Sequence, residues 1–444
     1  MKKLVLSILT VLFISLAVQA KPTKFDFEGV IKESGVDTES IAVSIKSADS
    51  GKLVYSLNDK MLMNPASVQK LLTTPVSVET LGEDYEFKTE IYSRGDEAFL
   101  IKLGADPYLT SSDLKKIASN VGVGTTKVYI DDRILDSKTW GEGWQWDDDM
   151  NVLMPRFGSY NLDKNLIKLT IMPAEKNAPA IIVNPSKYPL VFFNNIQTGD
   201  KTAIDVHRDS AIAANTLVLS GTVARPTTIY IPSTNLKRYF DLQLKRALEN
   251  RKVYLKDSFI ADKLKSSDKF EDKITHPIDV AVNDILKNSN NMVSETMFKL
   301  AGAKYLGLET GTDSSGIKMF NDYCVKHNLD NSRIRMVDSS GVSKNNLVSA
   351  DFISEFLVVN KNNQVLANLP TPGEGTMTHR LLTIKDNLRA KTGTLSDISS
   401  IAGYLTSKSG KKYVFCIMIN DMKLSTSDKK MLEDFIIREA YLRL

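Results

Sequence analysis

The sequence predicts an α+β fold in which both ends of the chain contribute to one antiparallel sheet flanked by helices. Residues 40–57 alternate apolar and polar side chains around the turn SADSGK and predict one hairpin. Residues 399–421 predict a second hairpin, which is apolar enough to lie at the centre of a sheet. Residues 428–444 predict an amphipathic helix that packs on the same sheet.

The middle of the chain differs from both ends, because short β-like runs separated by turn residues dominate it. These runs lie between residue 93 and about residue 260 and read EAFLIKLG, TTKVYIDD, NLIKLTIM, AIIVN, TLVLSGTV and TTIYIP. Helical patterns resume with residues 236–250 and 277–307. We therefore expect a β-rich region, residues 93–261, inserted into a domain formed by residues 21–92 and 262–444.

The N-terminus has the pattern of a cleaved secretory signal. Lys2 and Lys3 precede an apolar run that ends at about Val18, and small residues at Val18 and Ala20 suit a signal peptidase. The run is too short for a membrane span. We expect cleavage after Ala20, a periplasmic location and at most peripheral membrane contact; the alternative is a retained anchor.

Charge and composition exclude several classes of function. The net charge of +4 falls to +2 without residues 1–20, which carry two lysines and no acid, so nucleic-acid binding has no support. The four histidines show no metal-ligand spacing, and we expect neither a metal nor another cofactor. Cys324 and Cys416 permit one disulfide, although the apolar surroundings of Cys416 favour a buried thiol.

The first candidate catalytic residues are Ser67 and Lys70, in the stretch NPASVQKLLTTPVSVETLG. They lie at the start of a predicted apolar helix, where free N–H groups can stabilise a developing negative charge. Their spacing places them on one helix face, so Lys70 can take the proton of Ser67. On this stretch alone, an N-cap serine and a snorkelling lysine remain the more ordinary interpretation. At least four other S-x-x-K pairs occur, and those in polar, turn-like stretches are interpreted as solvated surface: Ser112/Lys115, Ser266/Lys269, Ser409/Lys412 and Ser427/Lys430.

Two further motifs strengthen the catalytic interpretation. Ser289 and Asn291 lie between two helical patterns, where they could supply a hydroxyl and an amide to a cleft. Lys391, Thr392 and Gly393 precede the second hairpin on a predicted strand, and glycine in a strand often marks the close approach of a ligand or another backbone. The order S-x-x-K, S-x-N, K-T-G matches the active-serine set of β-lactamases and penicillin-binding proteins.

Over nearly all of its length after residue 20, the chain resembles the class C low-molecular-mass penicillin-binding proteins, the D-alanyl-D-alanine carboxypeptidase/endopeptidase family. Other stretches similar to family signatures are GADPYLTSSDL, GWQWDDDMNVLMPRFGSYNLDKN, MVDSSGVSKNNLVSA and LPTPGEGTMTHRL. Around Asp338, Val342 and Lys344 stand at the Leu and Arg positions of the family pattern D-x-S-G-L-S-R. The resemblance implies a penicillin-binding-protein/β-lactamase-like domain with two nested inserted domains, the inner one at about residues 166–222.

The resemblance also implies the chemistry, which is acyl transfer from a D-alanyl peptide of peptidoglycan. Ser67 would attack the carbonyl of the penultimate D-Ala, and neutral Lys70 would act as base, with Lys391 helping to lower the pKa of Lys70. Ser289 would pass a proton to the leaving amine, and Asn291 would hold Lys70 and the substrate amide. Penicillin and other β-lactams, which mimic D-Ala-D-Ala, would acylate Ser67.

Substrate binding is assigned by the same resemblance to Thr392, Gly393, Thr394 and Asp148. The N–H groups of Ser67 and Thr394 would form an oxyanion hole, and Lys391 with Thr392 would receive the terminal carboxylate of the substrate. Asp148 would receive the amine of the substrate's diamino acid. A solvated acidic turn beside two core tryptophans is the alternative interpretation of Asp148 and its neighbours.

Three other functions use the same motifs. A β-lactamase needs a dedicated base for fast deacylation, and the sequence identifies none. A catalytically idle wall-binding protein would have no reason to keep Ser67, Lys70, Ser289 and Lys391 together. A D-amino-acid esterase or amidase is compatible with the motifs. The sequence also leaves open whether carboxypeptidase or endopeptidase activity dominates.

Overall fold

The computed structural model describes residues 27–256 and 259–444, so the predicted signal peptide, residues 1–20, lies outside the described residues. The strands are β1 Ile41–Ser47, β2 Leu53–Leu57, β3 Glu86–Ser93, β4 Ala98–Lys102, β5 Lys127–Asp131, β6 Leu166–Met172, β7 Ile181–Val183, β8 Val191–Thr198, β9 Ala203–Arg208, β10 Thr216–Val223, β11 Thr227–Pro232, β12 Ile260–Ala261, β13 Lys269–Pro277, β14 Ile334–Arg335, β15 Leu347–Val348, β16 Leu388–Leu395, β17 Ile398–Thr406 and β18 Lys412–Asn420. The α-helices are α1 Glu28–Glu33, α2 Gln69–Leu81, α3 Ser111–Asn120, α4 Leu236–Glu249, α5 Ile278–Asn288, α6 Asn291–Leu306, α7 Asp313–Lys326, α8 Ala350–Val359, α9 Gln364–Ala367 and α10 Thr426–Arg443. None of the helices in these two ranges is both long and apolar enough to cross a membrane.

The two ends of the chain build one antiparallel sheet, in the order β16-β17-β18-β1-β2. Both predicted hairpins are confirmed, since β1 pairs with β2 and β17 pairs with β18. Alternate residues of β18 enter two different cores: Cys416 and Met418 pack with the helices on one face, whereas Phe415 and Ile417 share a core with α10 on the other. Burial on both faces explains why this strand is a continuous apolar run.

Helices cover both faces of this sheet. The predicted C-terminal helix is confirmed as α10, which packs on β17, and α8 packs on β1 and β18 from the opposite side. Behind α8, α2 packs against α6, and α6 packs against α7. Cys324 and Cys416 are both free and buried, so the interpretation of Cys416 as a buried thiol is confirmed.

The inserted region contains a five-stranded sheet in the order β12-β5-β4-β3-β13. Its strands β3 and β13 pair with Glu86 opposite Pro277, so the sheet begins before residue 93 and ends after residue 261. Between residues 166 and 232 lie two three-stranded sheets, β8-β10-β9 and β11-β6-β7. We therefore propose an insertion of residues 86–277 with an inner part of residues 166–232. These bounds are wider than those predicted from the sequence, because strand pairs that bridge such long intervals leave no local signal.

The inserted region contacts the rest of the chain close to the candidate motifs. Trp144 Nε1 donates a hydrogen bond of 2.9 Å to the carboxylate of Asp338. Asn161 donates to the hydroxyl of Thr296 on α6, with a distance of 3.3 Å between Nδ2 and Oγ1. These contacts pack the inserted region against α6 and against the segment that contains Asp338.

Candidate active site

Ser67 lies on a 3₁₀ turn, Ala66–Val68, that leads directly into α2. The turn is held from two sides. Asn64 Oδ1 accepts the N–H of Ala66 at 2.9 Å, and Ser400 Oγ donates to the carbonyl of Pro65 at 2.6 Å. Ala66 has a positive φ of 45°, a conformation that L residues rarely adopt. The predicted apolar helix is present, but the serine precedes its first α-helical residue.

Lys70 is the second residue of α2, one helical turn after Ser67, and its side chain is completely buried. Its Nζ donates to three oxygens: Ser67 Oγ at 2.9 Å, Asn291 Oδ1 at 2.6 Å and the Ser340 carbonyl at 2.7 Å. Three acceptors match the three protons of an ammonium group, so the geometry fixes the amine beside the serine hydroxyl. The same geometry allows the neutral amine to accept the serine proton.

Burial dominates the proton affinity of both lysines in the cleft. It lowers the pKa of Lys70 from 10.5 to about 7, although the carboxylates of Asp338 and Glu295 oppose this change. The pKa of Lys391 falls well below 10.5 because the side chain is buried and because Lys70 is near. The expected repulsion between the two lysines therefore lowers the pKa of Lys391, whereas burial accounts for the lowered pKa of Lys70. A pKa near 7 makes a lysine base available at neutral pH.

The S-x-N motif lies at the junction of α5 and α6. Ser289 ends α5 with a left-handed φ of 61°, and Asn290 then caps α6 by accepting the N–H of Val293 at 3.1 Å. This reversal brings the Ser289 hydroxyl to β16, where Lys391 Nζ donates to it at 2.9 Å. Asn291 follows as the first residue of α6, so the two side chains of the motif contact different lysines.

The K-T-G motif lies on β16, as predicted, and this strand passes against the turn that carries Ser67. A Cβ on Gly393 would lie 2.3 Å from Ser400 Oγ and 2.8 Å from Ser67 N, so a side chain cannot fit there without moving one of them. Thr394 follows on the same strand and is exposed. The glycine thus lets β16 approach the turn that carries Ser67. The exposed end of the strand, at Thr394, borders the cleft.

Asp148 lies apart from the other predicted site residues. It occupies the 3₁₀ turn Trp146–Met150 and is half-buried. In the described part of the chain, its side chain makes no hydrogen bond or ion pair with Ser67, Lys70 or the other motif residues. The segment that follows does reach the site, because the carbonyl of Leu153 accepts a hydrogen bond of 2.8 Å from Asn291.

Two contributors to the site were missed by sequence reasoning. The carbonyl of Ser340 binds Lys70, and a backbone carbonyl carries no signature of residue type. Thr376 accepts a hydrogen bond of 2.6 Å from Thr392 Oγ1. Both lie in stretches that resemble family signatures, and that resemblance is the only signal that could have marked them.

The arrangement of these groups can carry out nucleophilic acyl transfer. It places a hydroxyl beside a lysine whose pKa is about 7 and a second hydroxyl beside a second buried lysine. The first pair can generate a nucleophile, and the second can deliver a proton or receive an anionic group. The site thus brings together a candidate nucleophile, a candidate base and a second buried lysine.

Comparisons with known proteins agree with this chemistry. The D-alanyl-D-alanine carboxypeptidase of an Actinomadura species is 24% identical over 425 residues, which cover 87% of this chain and 79% of that protein. The D-alanyl-D-alanine carboxypeptidase DacB of Haemophilus influenzae is 22% identical over 423 residues, covering 87% and 86% of the two chains.

The fold has a match among solved structures. The crystal structure of penicillin binding protein 4 (dacB) from Haemophilus influenzae superposes with a TM-score of 0.82 at 20% identity, and the match covers 94% of this chain and all of that one. This likeness confirms the predicted fold class. The profile of the D-Ala-D-Ala carboxypeptidase 3 (S13) family matches residues 26–439. Since that match spans almost the whole sequence, the chain belongs to this family and is a serine-type D-Ala-D-Ala carboxypeptidase.

Proposed function

We propose that Ser67 is the nucleophile of this carboxypeptidase and that Lys70 is its general base. The observation that carries the proposal is the distance of 2.9 Å between Lys70 Nζ and Ser67 Oγ, for a buried lysine whose pKa is about 7. In the neutral form, Lys70 takes the hydroxyl proton while Ser67 Oγ attacks the carbonyl carbon of the penultimate D-Ala. Asn291 orients Lys70 for this transfer.

The negative charge that develops on the substrate oxygen needs donors. We assign these to the N–H groups of Ser67 and Thr394, and one such donor contributes roughly 2.7–4 kcal/mol to lowering the barrier. Collapse of the tetrahedral intermediate breaks the C–N bond, and Ser289 passes a proton to the departing amine. Lys391, 2.9 Å from the Ser289 hydroxyl, supports that transfer. D-Ala leaves with that proton, and the proton that Lys70 took from Ser67 replaces the one given up by Ser289, so Lys70 is neutral again. Water then attacks the ester while Lys70 takes its proton and passes it to Ser67 Oγ as the ester C–O bond breaks, which releases the shortened peptide and regenerates Ser67.

The substrate's terminal carboxylate is assigned to the side of the cleft formed by β16. Lys391 supplies a cation and Thr392 a hydroxyl there, and Gly393 keeps the strand close to Ser67. We assign the amine of the diamino acid to Asp148, which lies in the segment that reaches the site through Leu153.

We extend the proposal to cross-links, to β-lactams and to cellular location. An endopeptidase reaction needs the same attack on a D-Ala carbonyl, with a neighbouring peptide as the leaving amine. The Haemophilus influenzae relative of known structure has been solved in complex with a β-lactam, and we expect β-lactams to acylate Ser67 here. The predicted signal at residues 1–20 supports a periplasmic location, where peptidoglycan is accessible.

Intact mass spectrometry after incubation with benzylpenicillin tests the proposal. We expect a stable adduct on the wild type and on Ser112→Ala, and none on Ser67→Ala. Ser112 is a matched control, because it belongs to an exposed S-x-x-K pair. An adduct that persists on Ser67→Ala would contradict the assignment. Rapid loss of penicillin without an adduct would indicate a β-lactamase, and neither loss nor adduct would indicate an idle site.

Digestion of purified muropeptides then separates the two peptidase activities. Release of D-Ala from pentapeptide monomers measures carboxypeptidase activity, and conversion of cross-linked dimers to monomers measures endopeptidase activity. We expect both to disappear in Ser67→Ala while its circular dichroism spectrum stays that of the wild type. Full hydrolysis by Ser67→Ala would overturn the proposal.

A further inference from the structure

The short backbone segment Asp338–Gly341, here called the 338–341 loop, lies between α2 and α6. Its carbonyls face α2: Ser339 O accepts a hydrogen bond of 3.0 Å from Thr73 Oγ1, and Ser340 O accepts the bond of 2.7 Å from Lys70 Nζ. The loop therefore forms the surface against which the candidate base is held.

The opposite side of the 338–341 loop is held by one carboxylate. Glu295 lies on α6 with only 1% of its surface exposed. Its Oε1 accepts the N–H of Ser340 at 2.8 Å, and its Oε2 accepts the N–H of Ser339 at 3.2 Å. Each of these two residues thus has its carbonyl bound to α2 and its amide bound to Glu295.

The loop has little room to move without disturbing the nucleophile. Gly341 has a φ of 79°, and a Cβ there would lie 1.8 Å from the carbonyl oxygen of Ala66, on the turn that carries Ser67. Asp338 adds a further restraint by accepting the N–H of Gly341 at 2.7 Å. A displacement of the loop would therefore reach both Ser67 and Lys70.

We propose that Glu295 is a positioning residue for the proton transfer between Ser67 and Lys70. It holds the amides of Ser339 and Ser340 so that the Ser340 carbonyl orients Lys70 Nζ toward the serine hydroxyl. The inference rests on the proposed roles of Ser67 and Lys70. Glu295 reaches the reaction only through the loop and through its charge, and it touches no reacting atom.

The charges around this cluster give the positioning role a measurable signature. Lys70 faces the carboxylates of Glu295 and Asp338, both of which raise its pKa, and it lies near the cation of Lys391. Burial raises the pKa of Glu295, and the charges of Asp338 and Asp313 act in the same direction, whereas the hydrogen bonds from Ser340 and Ser339 to its two oxygens favour the ionised carboxylate. As Glu295 ionises, its anion therefore favours the protonated form of Lys70 and delays formation of the neutral base.

The pH dependence of acylation by benzylpenicillin tests the inference in Glu295→Gln. A glutamine has one acceptor oxygen for two N–H groups, so we expect acylation to slow by about 10- to 100-fold. Without the Glu295 charge, the pKa of Lys70 falls, and we expect the rising limb of the pH–rate profile to move to lower pH by about half a unit. A merely structural residue would lower the melting temperature and leave that limb in place.

Two comparison variants complete the test. Glu295→Asp keeps the negative charge, so the rising limb of its pH–rate profile should stay near that of the wild type. Its side chain is too short to reach both amides, so acylation should still slow. Glu433→Gln removes another fully buried carboxylate, paired with Arg380 at 2.7 Å on the opposite face of the sheet, and should lower the melting temperature alone.

The outcomes separate the two proposals. No adduct on wild-type Ser67 would overturn the proposed function. The role of Glu295 would be overturned, and the proposed function left intact, by two results together. The first is an adduct on Ser67 of the wild type. The second is a folded Glu295→Gln variant whose acylation rate and rising pH limb match those of the wild type. If Glu295→Gln does not fold, the acylation rate of Glu295→Asp tests the role of Glu295 instead. A rate equal to that of the wild type would be incompatible with positioning through the two amides.

Discussion

Two fully buried lysines, Lys70 in the cleft and Lys299 on α6, have different kinds of partners. Lys70 donates to a hydroxyl, an amide oxygen and a backbone carbonyl, and none of these acceptors carries a charge. Lys299 lies 2.8 Å from a carboxylate oxygen of Asp136 and 3.2 Å from one of Asp313. Carboxylates compensate a buried ammonium charge, whereas neutral acceptors only orient the amine.

This difference separates the proposed general base, Lys70, from a lysine that pairs with carboxylates. Lys299 joins α6 to Asp136, a residue of the inserted region, and so ties the two parts of the chain together. Lys70 keeps two carboxylates, those of Glu295 and Asp338, near enough to affect its pKa but outside its hydrogen bonds. An S-x-x-K pattern cannot reveal which acceptors a buried lysine will meet, and the structure supplies that distinction.

The largest effect should come from Lys70→Met. Loss of the base should slow acylation of Ser67 by benzylpenicillin by about 10³-fold, because general-base catalysis contributes on the order of 10²- to 10⁴-fold. Rapid-quench mass spectrometry measures the rate, and circular dichroism checks the fold. Acylation within threefold of the wild-type rate would remove Lys70 from the mechanism.

Gly393→Ala should displace Ser67 while leaving Lys70 in place, and so separates the position of the proposed nucleophile from the presence of the proposed base. The new methyl group would meet Ser400 Oγ and Ser67 N at 2.3 and 2.8 Å, so β16 or the Ser67 turn must shift. We expect acylation to slow by about 10²-fold, the scale of a misplacement near 1 Å. The same rapid-quench assay measures it, with Gly410→Ala as control. Gly410 lies in the β17–β18 turn, and a Cβ there meets nothing within 4 Å, although its φ of 83° carries some strain.

Lys299→Met should affect stability and leave chemistry unchanged. Removing the cation leaves the Asp136 carboxylate, 26% exposed, without the Lys299 pair, while the Asp313 carboxylate, 16% exposed, keeps its pair with Lys138 at 2.9 Å. We expect the free energy of unfolding to fall by about 3 kcal/mol, the lower end for breaking a buried pair. Urea denaturation measures this loss. Slow acylation by the folded variant would show that the contrast between the two lysines is wrong.

The smallest effect per measured step is a pH dependence of stability carried by Lys70. Its folded-state pKa of about 7 lies below the usual 10.5, so the unfolded chain binds the extra proton between these values. The stability of the wild type relative to Lys70→Met should therefore rise with pH from about 7 to about 10.5, by at most about 1.4 kcal/mol per pH unit. Urea midpoints of the two proteins at pH 7, 8 and 9 measure the difference, and a constant difference would contradict it.

Local patterns predicted the elements of the fold better than their partners. Alternation located β1 and β2, and apolar runs on both sides of a turn located β17 and β18 and indicated that they lie at the centre of the sheet. The pairing of β3 with β13 could not be read from the sequence, because the two strands lie almost two hundred residues apart and each alone is an ordinary amphipathic strand. The wider bounds of the insertion proposed above rest on this pairing, which the sequence alone does not reveal.

The site shows the same division between local and distant information. Side chains with distinctive chemistry, such as Ser67, Lys70 and Lys391, were predicted from motifs, and the structure brings them into one cleft. The contribution of Ser340 is a carbonyl, and that of Glu295 depends on two amides more than forty residues away. Neither contribution depends on a motif side chain, so tertiary structure alone reveals both.

Because β1 lies between β18 and β2, the sheet is complete only after the last strands of the chain have been made. During synthesis, Ser67 and Lys70 are made early, whereas β16, which carries Lys391 and Gly393, and β18, which completes the sheet beside β1, are made last. Contacts between such distant segments form slowly, because a long loop must close before they stabilise anything. The continuous residues 86–277 can fold meanwhile. A chain that ends before β16 therefore carries Ser67 and Lys70 without Lys391, Gly393 and the strands that complete the sheet.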